Sequence, residues 1–205
     1  MELMANDPLE ALVSVAPRAR PGPLRRLGRA LGLAKGDTPP VEAVVLQHQG
    51  MVRAFLRRLC DADALADDLA QETFLKARRA LPKFRGEGSL ASWLLRIAYR
   101  EFLGHRRRRS SADVLVHDFE DTGDLRGRGP DRTLERDVRR ALQALSPDER
   151  AAIAACFFDE LTHEEAAFAL DMPLGTLKSH VARGKEKLRG ALAAYAPKAE
   201  DSHER

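Results

Sequence analysis

Aromatic residues and cysteine are scarce in this chain of 205 residues, and patterns typical of β-strands are missing. Aromatics make up 5% of the sequence and charged residues 32%, a balance typical of helical proteins with small cores and large wet surfaces. No stretch alternates Val, Ile or Thr with polar residues, whereas Ala, Leu, Arg and Glu recur at helical spacing. The sequence therefore predicts an all-α protein.

Long apolar runs are also lacking, and the cysteines number only two, Cys60 and Cys156. Both stand in helix-like contexts, so we expect reduced, buried small hydrophobes rather than a functional disulfide. No apolar run approaches the ~20 residues that span a bilayer. The segment Leu9–Ala16 is too short for a signal peptide, and its positive charge follows rather than precedes it. We therefore expect a cytoplasmic protein without membrane insertion.

The net charge of +3 is modest, but the charges are segregated along the chain. Positive charge concentrates in residues 18–35, 105–109 and 178–189, and negative charge collects in residues 61–72 and 113–124. Taken singly, each run is compatible with a solvated helix face. Together they favour two different partners, one anionic and one cationic or polar.

Composition and periodicity divide the chain into five segments, with two small helical domains joined by a flexible linker. In order, they are a disordered, basic, Pro-rich tail (1–40), a helical domain (41–109), an acidic linker punctuated by Gly (110–130), a second helical domain (131–194) and a short tail (195–205). Amphipathic spacing predicts three helices in the first domain, and capping boxes that begin at Ser146 and Thr162 predict helix starts in the second.

A helix-turn-helix is predicted near the end of the second domain. Thr162–Leu170 has the length of a short helix, Asp171 to Pro173 forms a tight break, and Leu174–Arg189 forms a longer helix. Asp at position 171 tolerates a left-handed backbone better than most residues. A purely structural helix pair is the alternative for this segment alone.

The longer helix has an apolar side and an outer side suited to DNA. Leu177, Val181, Gly184 and Leu188 share one side of the helix and are expected to be buried. The outer side carries cations and hydrogen-bond donors that reach base edges or phosphates in a major groove. The candidate contacts are Thr176, Lys178, Ser179, His180, Arg183, Lys185 and Lys187.

Two surfaces stand out in the first domain. Asp68, Gln71, Glu72 and Leu75 share an exposed side, with Asp67 nearby, and an acidic edge around an apolar centre suits a protein partner. On the third helix, aromatics alternate with cations in Trp93, Arg96, Tyr99 and Arg100 before the run 105–109, as expected for a surface that stacks unpaired bases. For Trp93 alone, a core position is an equally good interpretation.

Catalytic and metal-binding patterns are missing from the sequence. No Ser/His/Asp arrangement, phosphate loop or ligand cluster occurs, and the His163-Glu164 pair lacks the second zinc ligand because position 167 is Ala. We predict no enzyme activity, no cofactor and no metal.

With these motifs in hand, the chain resembles the extracytoplasmic-function (ECF) sigma factors of bacterial RNA polymerase. The resemblance covers about residues 41–194 and rests on ADDLAQETFLKARRALPKFRGEGSLASWLLRIAYREFLGHRRRR, followed later by ALQALSPDERAAIAACFFDELTHEEAAFALDMPLGTLKSHVARGKEKLR. It implies that the first domain is sigma domain 2 and that the second is sigma domain 4. It also implies three partners, which are core polymerase through its clamp helices and flap, promoter DNA, and an anti-sigma factor.

The resemblance assigns roles to the candidate residues. The residues expected to bind the clamp helices are Asp67, Asp68, Leu69, Gln71, Glu72 and Leu75. Those expected to open and read the −10 element are Phe84, Arg85, Trp93, Arg96, Tyr99, Arg100, Arg106, Arg107 and Arg108. The outer side of the helix that begins at Leu174 is expected to read the −35 element, and the acidic linker to run toward the RNA exit path.

The chain departs from the family pattern at four positions. Arg100 stands in place of a usual Asn, His163 of a Tyr, Ala166 of an Ile and Asp171 of a Gly. Proteins of this type are often held with their two domains packed together, which leaves the arrangement of the free protein open.

Two other functions compete with that of an initiation subunit. A sigma mimic that sequesters an anti-sigma factor would not need the cations at Arg106 to Arg109, Lys178, Arg183 and Lys185. An ordinary helix-turn-helix repressor or activator would leave the acidic helix and the Trp/Arg helix without a purpose.

Overall fold

A computed structural model describes residues 40–86, 88–112 and 130–193 of the chain. Within these ranges the chain is helical and contains no strand, which confirms the all-α prediction. The helices are α1 (Val41–Leu59), α2 (Asp63–Ala80), a 3-10 turn (Leu81–Lys83), α3 (Leu90–Ala112), α4 (Pro130–Gln143), α5 (Pro147–Ile153), a π-helical turn (Ala154–Phe158), α6 (His163–Ala169) and α7 (Leu174–Ala191). The predicted N-terminal tail, most of the linker and the C-terminal tail lie outside the described residues.

Helix α3 extends beyond the expected domain boundary. The sequence predicted that the first domain ends at residue 109, whereas α3 continues to Ala112. Neither Gly nor Pro occurs between Gly104 and Gly123, so nothing in the local sequence stops the helix at Arg109. Helix α4 begins at Pro130, where the missing N–H of proline costs no hydrogen bond.

The N-terminal unit, α1 to α3, buries one side of each helix. Phe55 and Leu56 of α1 pack with Leu94 and Leu95 of α3, and all four side chains are fully buried. Burying each such side chain contributes ~1.5–3 kcal/mol. Because the apolar side of each helix is buried, the charged sides of α2 and α3 lie on the surface of this unit.

The C-terminal unit, α4 to α7, contains both predicted capping boxes. The hydroxyl of Ser146 accepts a hydrogen bond from the Glu149 N–H at 3.3 Å, and the hydroxyl of Thr162 accepts one from the Glu165 N–H at 3.2 Å. In return, the carboxylates of Glu149 and Glu165 each accept a hydrogen bond from the backbone N–H of their cap residue. Asp171, in the break between α6 and α7, has φ +54°, the left-handed conformation that the sequence indicated.

The two units share one continuous core. Helix α3 packs against α6, and α1 packs against α5 and the π-helical turn, so that buried residues of both units form a single cluster. A smaller cluster joins α4 to the end of α7 around Leu142 and Leu188. Cys60 and Cys156 are both free thiols, as expected, but only Cys60 is buried, whereas Cys156 is half-buried. The sequence did not predict whether the two helical units pack against each other.

Candidate protein and nucleic-acid interfaces

The acidic α2 face consists of Asp67, Asp68, Gln71, Glu72 and Leu75. All except Asp67, which is half-buried, are exposed, and Leu75 is one of the two exposed large hydrophobics of the described ranges, with 46% of its surface accessible. This face therefore combines free carboxylates with an apolar centre.

Two residues of the predicted polymerase-binding set differ from the rest. The carboxylate of Asp67 is held by α1, where Arg57 Nη2 lies 3.3 Å and Arg53 Nε 3.8 Å from Oδ1. Leu69 is 5% exposed and packs in the core, which corrects the expectation that it contacts a partner. Leu69 belongs to the core that α2 forms with α1 and α3, so it supports the acidic α2 face from beneath.

Trp93 pairs with Phe84 at the start of α3. Their ring centroids are 5.1 Å apart with the planes tilted by 47°, and both rings are half-buried against the core. Arg85, next to Phe84, is exposed. Trp93 is thus packed against the core on one side and accessible on the other, which confirms the core interpretation in part, and its contact with unpaired bases stays a prediction.

Asp171 of the helix-turn-helix binds two arginines of α3. Its two carboxylate oxygens accept from Arg96 Nη2 at 2.5 Å and from Arg100 Nη2 at 3.0 Å. Arg96 also donates to the Phe168 carbonyl at 3.3 Å, and its guanidinium lies 4.6 Å from the centroid of the Phe168 ring. The hydrogen bond from Arg100 and the charge of Arg96 lower the pKa of Asp171. Two arginines expected to meet the −10 strand are therefore held by the other unit.

Tyr99 is the third α3 residue engaged by the C-terminal unit. It is buried, and its hydroxyl donates to Asp148 Oδ1 at 2.8 Å. Burial, together with the bond to Asp148, raises the pKa of Tyr99. Further along α3, Arg106, Arg107 and Arg108 are exposed, and the Arg106 guanidinium lies 5.8 Å from the centroid of the Phe102 ring.

The inner part of the contact between the units contains two arginines that the sequence did not single out. Arg150 of α5 is 9% exposed, and it donates to the carbonyls of Leu59 at 3.2 Å and Gln143 at 2.9 Å. Arg58 of α1 lies 3.9 Å from the buried carboxylate of Asp159, and its guanidinium is 4.2 Å from the centroid of the Phe158 ring. The one feature of the sequence that could have indicated these two arginines is their position within apolar helical stretches.

Helix α7 presents the two sides that its spacing predicted. Leu177, Val181, Gly184 and Leu188 are its buried residues, which confirms the sequence prediction. On the outer side, Thr176, Lys178 and Ser179 are exposed, and the hydroxyl of Ser179 donates to the Gly175 carbonyl at 3.0 Å. These residues lie together on the first two turns of the helix.

Further along α7, four of the predicted DNA contacts already have partners within the chain, namely His180, Arg183, Lys185 and Lys187. Glu149 Oε1 accepts from Arg183 Nε at 3.4 Å, and Glu149 Oε2 accepts from Lys187 Nζ at 2.7 Å. The ammonium of Lys185 lies 5.2 Å from the centroid of the Phe157 ring. Sequence reasoning identified Glu149 only as a helix cap and missed its contacts with α7.

The part of the chain that the structure describes shows neither a candidate metal site nor a candidate membrane span. No group of three or more His, Cys, Asp or Glu side chains within residues 40–86, 88–112 and 130–193 is placed to hold a metal ion. Within the same ranges, no helix combines the length and the apolar character needed to cross a bilayer.

Two family descriptions match this chain. Residues 44–112 match Sigma-70 region 2, and residues 135–188 match the Sigma-70 region 4 family. The first range contains the acidic α2 face and the α3 residues described above, and the second contains the helix-turn-helix.

Curated relatives and solved structures agree with this match. The chain is 33% identical over 171 residues to the RNA polymerase sigma-H factor of Pseudomonas aeruginosa, an alignment that covers 77% of this chain and 89% of the relative. It is 32% identical over 167 residues to the ECF RNA polymerase sigma-E factor of Escherichia coli, covering 75% and 87%. The sigma factor RpoE of Bartonella quintana, solved in complex with the anti-sigma factor NepR, has a TM-score of 0.63 and 28% identity, covering 74% of this chain and 96% of that one. CnrH, solved with the cytosolic domain of CnrY, shares the fold with a TM-score of 0.57 at 22% identity, over 75% of this chain and 88% of that one.

Proposed function

Since this chain belongs to the ECF sigma factors of bacterial RNA polymerase, we propose that separate surfaces of its two helical units bind the core enzyme and read the two promoter elements. Its family makes it an initiation subunit that binds core polymerase and promoter DNA, and not an enzyme. What remains to assign is which residues perform each task and which conformation performs it. The observation that carries the assignment is the exposure of an acidic face on α2 and a basic face on α7 of one molecule.

The acidic α2 face binds core polymerase. Asp68, Gln71 and Glu72 are exposed around the accessible side chain of Leu75, so that a polar or basic partner surface can close over an apolar centre. Asp67 contributes less free charge, because Arg53 and Arg57 already partly compensate it.

The beginning and outer side of α3 open and read the −10 element. The Phe84–Trp93 pair offers ring surface on which an unpaired base stacks, next to the exposed guanidinium of Arg85. Arg96 and Arg100 extend this surface along the helix, Tyr99 joins it once the C-terminal unit no longer covers its ring, and Arg106, Arg107 and Arg108 supply charge for the DNA backbone.

The basic face of α7 reads the −35 element. Thr176, Lys178 and Ser179 at its beginning are exposed, as expected for a recognition helix whose N-terminal part contacts base edges. His180 and Arg183 lie one turn further along and have the reach and chemistry for bases. Lys185 and Lys187 belong to the same surface. Lys187 also forms an ion pair with Glu149.

The conformation described above corresponds, in this proposal, to a promoter-free state. Arg96, Tyr99 and Arg100 donate to Asp171 and Asp148 of the C-terminal unit, so they are unavailable to DNA while the units are packed together. Binding to the −10 strand must therefore separate α3 from the C-terminal unit. The exposed ion pairs among these contacts contribute little net stability in water, so the cost of the separation lies mainly in the apolar core that the two units share, and binding to core polymerase and promoter DNA must offset that cost.

An anti-sigma factor is a further proposed partner. A sigma factor with 28% identity to this chain has been solved in complex with one, and the alignment covers 96% of that chain. As a sigma factor the protein acts where RNA polymerase works, in the cytoplasm, and we propose that it associates with the nucleoid when active. The alternative of a sigma mimic has no observation in its favour, because the exposed cations of α3 and α7 suit DNA.

Run-off transcription with purified core polymerase tests the proposal. On promoters near its own gene, the protein is expected to give promoter-specific transcripts that core polymerase alone does not give. Core polymerase that yields no specific transcript with this protein, in the absence of any anti-sigma factor, would overturn the proposal.

The role of the acidic α2 face is tested by the double variant Asp68→Arg with Glu72→Arg. We expect it to abolish binding to core polymerase while helical content, measured by circular dichroism, stays unchanged. Glu42→Arg with Glu164→Arg makes the same change in net charge at exposed positions outside α2 and should bind core polymerase like the wild type. Equal loss of binding in both double variants would mean that charge alone, and not this face, is responsible.

A further inference from the structure

Glu149 is a buried carboxylate that contacts α7 from the preceding helix. It is 4% exposed, lies in the first turn of α5, and closes the capping box with Ser146. Each of its two oxygens also accepts a hydrogen bond from a cation of α7, with Oε1 bound to Arg183 Nε at 3.4 Å and Oε2 to Lys187 Nζ at 2.7 Å. One carboxylate thus holds two cations on successive turns of the recognition helix.

We infer that Glu149 is a positioning residue for promoter recognition, which orients the guanidinium of Arg183 toward the base that it reads and withholds the charge of Lys187 from the DNA backbone. The inference rests on the proposed function, in that α7 must be the helix that reads the −35 element. Glu149 does not itself face DNA. It is inferred to affect recognition in two ways, through the orientation of Arg183 and through the charge of Lys187.

The contacts of Arg183 determine which of its edges is left for DNA. Nε is committed to Glu149, and Nη2 donates to His180 Nδ1 at 3.0 Å. With Nε held by Glu149 and one N–H of Nη2 held by His180, Nη1 and the second N–H of Nη2 remain for DNA, and two parallel N–H groups are what a bidentate contact with guanine requires. The Arg183 side chain is 56% exposed, so these N–H groups are accessible. Glu149 therefore pre-sets the orientation that a specific contact needs.

The contacts of Lys187 have a different consequence. Its ammonium lies 2.7 Å from Glu149 Oε2, and this hydrogen bond is the largest cause that lowers the pKa of Glu149 to about 2. Glu149 is therefore ionised at neutral pH, and Lys187 forms an ion pair with a carboxylate instead of standing free. A lysine in this state neutralises a DNA phosphate less effectively than a free one, because it must first give up its own carboxylate.

Close packing of α5 on α7 makes these contacts possible. A Cβ atom at Gly184 would lie 2.7 Å from Ile153 Cγ1, so only glycine allows the two helices to approach to this distance. The Glu149 carbonyl is 3.7 Å from the same point. Residues 183 and 187 flank Gly184 on the same helix, and the approach at Gly184 brings both cations within reach of one side chain.

A merely structural role for Glu149, as a cap and as a tie between helices, makes a different prediction. Glutamine serves in the third position of a capping box as well as glutamate does. Glu149→Gln therefore keeps the cap and removes the charge that holds Arg183 and Lys187. Ser146→Ala is the matched control, because it removes the hydroxyl of the cap and leaves both ion pairs in place. A structural role alone would leave the base preference unchanged in both variants.

The experiment measures run-off transcription and DNA binding of the full chain in complex with core polymerase. The DNA is a promoter that the wild type transcribes, together with every single-base substitution of its −35 element. For Glu149→Gln we expect the preference at the position read by Arg183 to fall by about three- to tenfold, because the arginine samples several orientations. For Ser146→Ala we expect lower thermal stability with an unchanged preference profile.

Salt dependence of binding tests the second effect. When Lys187 is freed in Glu149→Gln, the slope of log K against log salt should become steeper by about one phosphate contact. The double variant Glu149→Gln with Lys187→Ala should lose that increase. The double variant Glu149→Gln with Arg183→Ala should show the same base preference as Arg183→Ala alone.

The outcomes separate this inference from the proposed function. If Glu149→Gln folds and binds but its preference profile and salt slope match the wild type, Glu149 is not a positioning residue. In that case −35 recognition by α7 still stands, provided that Arg183→Ala or Lys178→Ala alters the profile. If no substitution on the outer side of α7 alters the profile, the assignment of α7 itself is wrong, and the inference falls with it.

Discussion

Arg100 of α3 donates a hydrogen bond to Asp171 of the helix-turn-helix, and the two residues join the helix expected to read the −10 element to the unit expected to read the −35 element. Nη2 lies 3.0 Å from Oδ2, and Arg96 binds the other oxygen of the same carboxylate. Both residues depart from the family pattern, which has Asn and Gly at these positions. Two departures that looked unrelated in the sequence are thus partners in the folded protein.

Removing the charge of Asp171 should free the α3 arginines. Asp171→Asn keeps a residue that tolerates φ +54°, so the turn between α6 and α7 is preserved. We expect the full-length variant to bind a single-stranded −10 oligonucleotide about two- to fivefold more tightly, since exposed ion pairs are individually weak. Fluorescence anisotropy measures this affinity. Glu164→Gln removes an exposed carboxylate of α6 and should have no effect, and equal affinities for wild type and Asp171→Asn would show that the contact does not compete with DNA.

The buried pair of Arg58 and Asp159 predicts a pH dependence of stability. Burial raises the pKa of Asp159 to about 7, and the charge of Arg58 opposes that rise only in part. The folded protein therefore keeps a proton that the unfolded chain releases near pH 4, so the free energy of unfolding falls as the pH rises from about 4 to about 7.

Asp159→Asn removes this dependence. The free energy of unfolding of the variant minus that of the wild type should increase by about 4 kcal/mol as the pH rises from about 4 through about 7, and it should stay level above about pH 8. Urea denaturation at intervals of one pH unit measures the difference. A difference that is the same at every pH would show that Asp159 does not titrate in this range.

Glu160 is the second non-glycine residue in a left-handed conformation, with φ +55°. Glu160→Gly should raise the free energy of unfolding by about 0.5–1 kcal/mol. Glycine removes the strain of the left-handed conformation, and the larger entropy that glycine loses on folding offsets part of that gain. Glu160→Ala keeps a Cβ atom and the strain with it, and it should bring no gain. Chemical denaturation compares the three proteins, and a stabilisation by alanine equal to that by glycine would assign the effect to the carboxylate instead of the backbone.

Two glycines of α7 should respond in opposite ways to alanine. Gly184→Ala places a methyl group 2.7 Å from Ile153 and should cost about 1–3 kcal/mol. Gly190→Ala meets open space and should gain up to about 1 kcal/mol from helix propensity. Chemical denaturation measures both variants. A Gly184→Ala protein as stable as the wild type would mean that α5 moves aside without cost.

Features that depend on a few neighbouring residues were predictable. The capping boxes at Ser146 and Thr162, the left-handed Asp171 and the buried side of α7 all follow from interactions that span a single helical turn. Leu69 shows where such reasoning stops. Its neighbours Asp68 and Gln71 are exposed, whereas Leu69 turns inward, and the motif that contains all three does not tell a contact from a supporting residue.

The amino-acid sequence by itself determined the helices, the capped helix starts at Ser146 and Thr162, the acidic and basic sides, and the family to which the chain belongs, because helical periodicity and capping act over three or four residues. The tertiary structure alone decided that Asp171 binds Arg100, which lies 71 residues away, and that Glu149 holds Arg183 and Lys187. Charged side chains at such separations find partners only after apolar packing brings their helices together. Packing of α3 on α6 and of α5 on α7 is what brought these separate charges into contact, and the proposals for promoter recognition rest on those contacts.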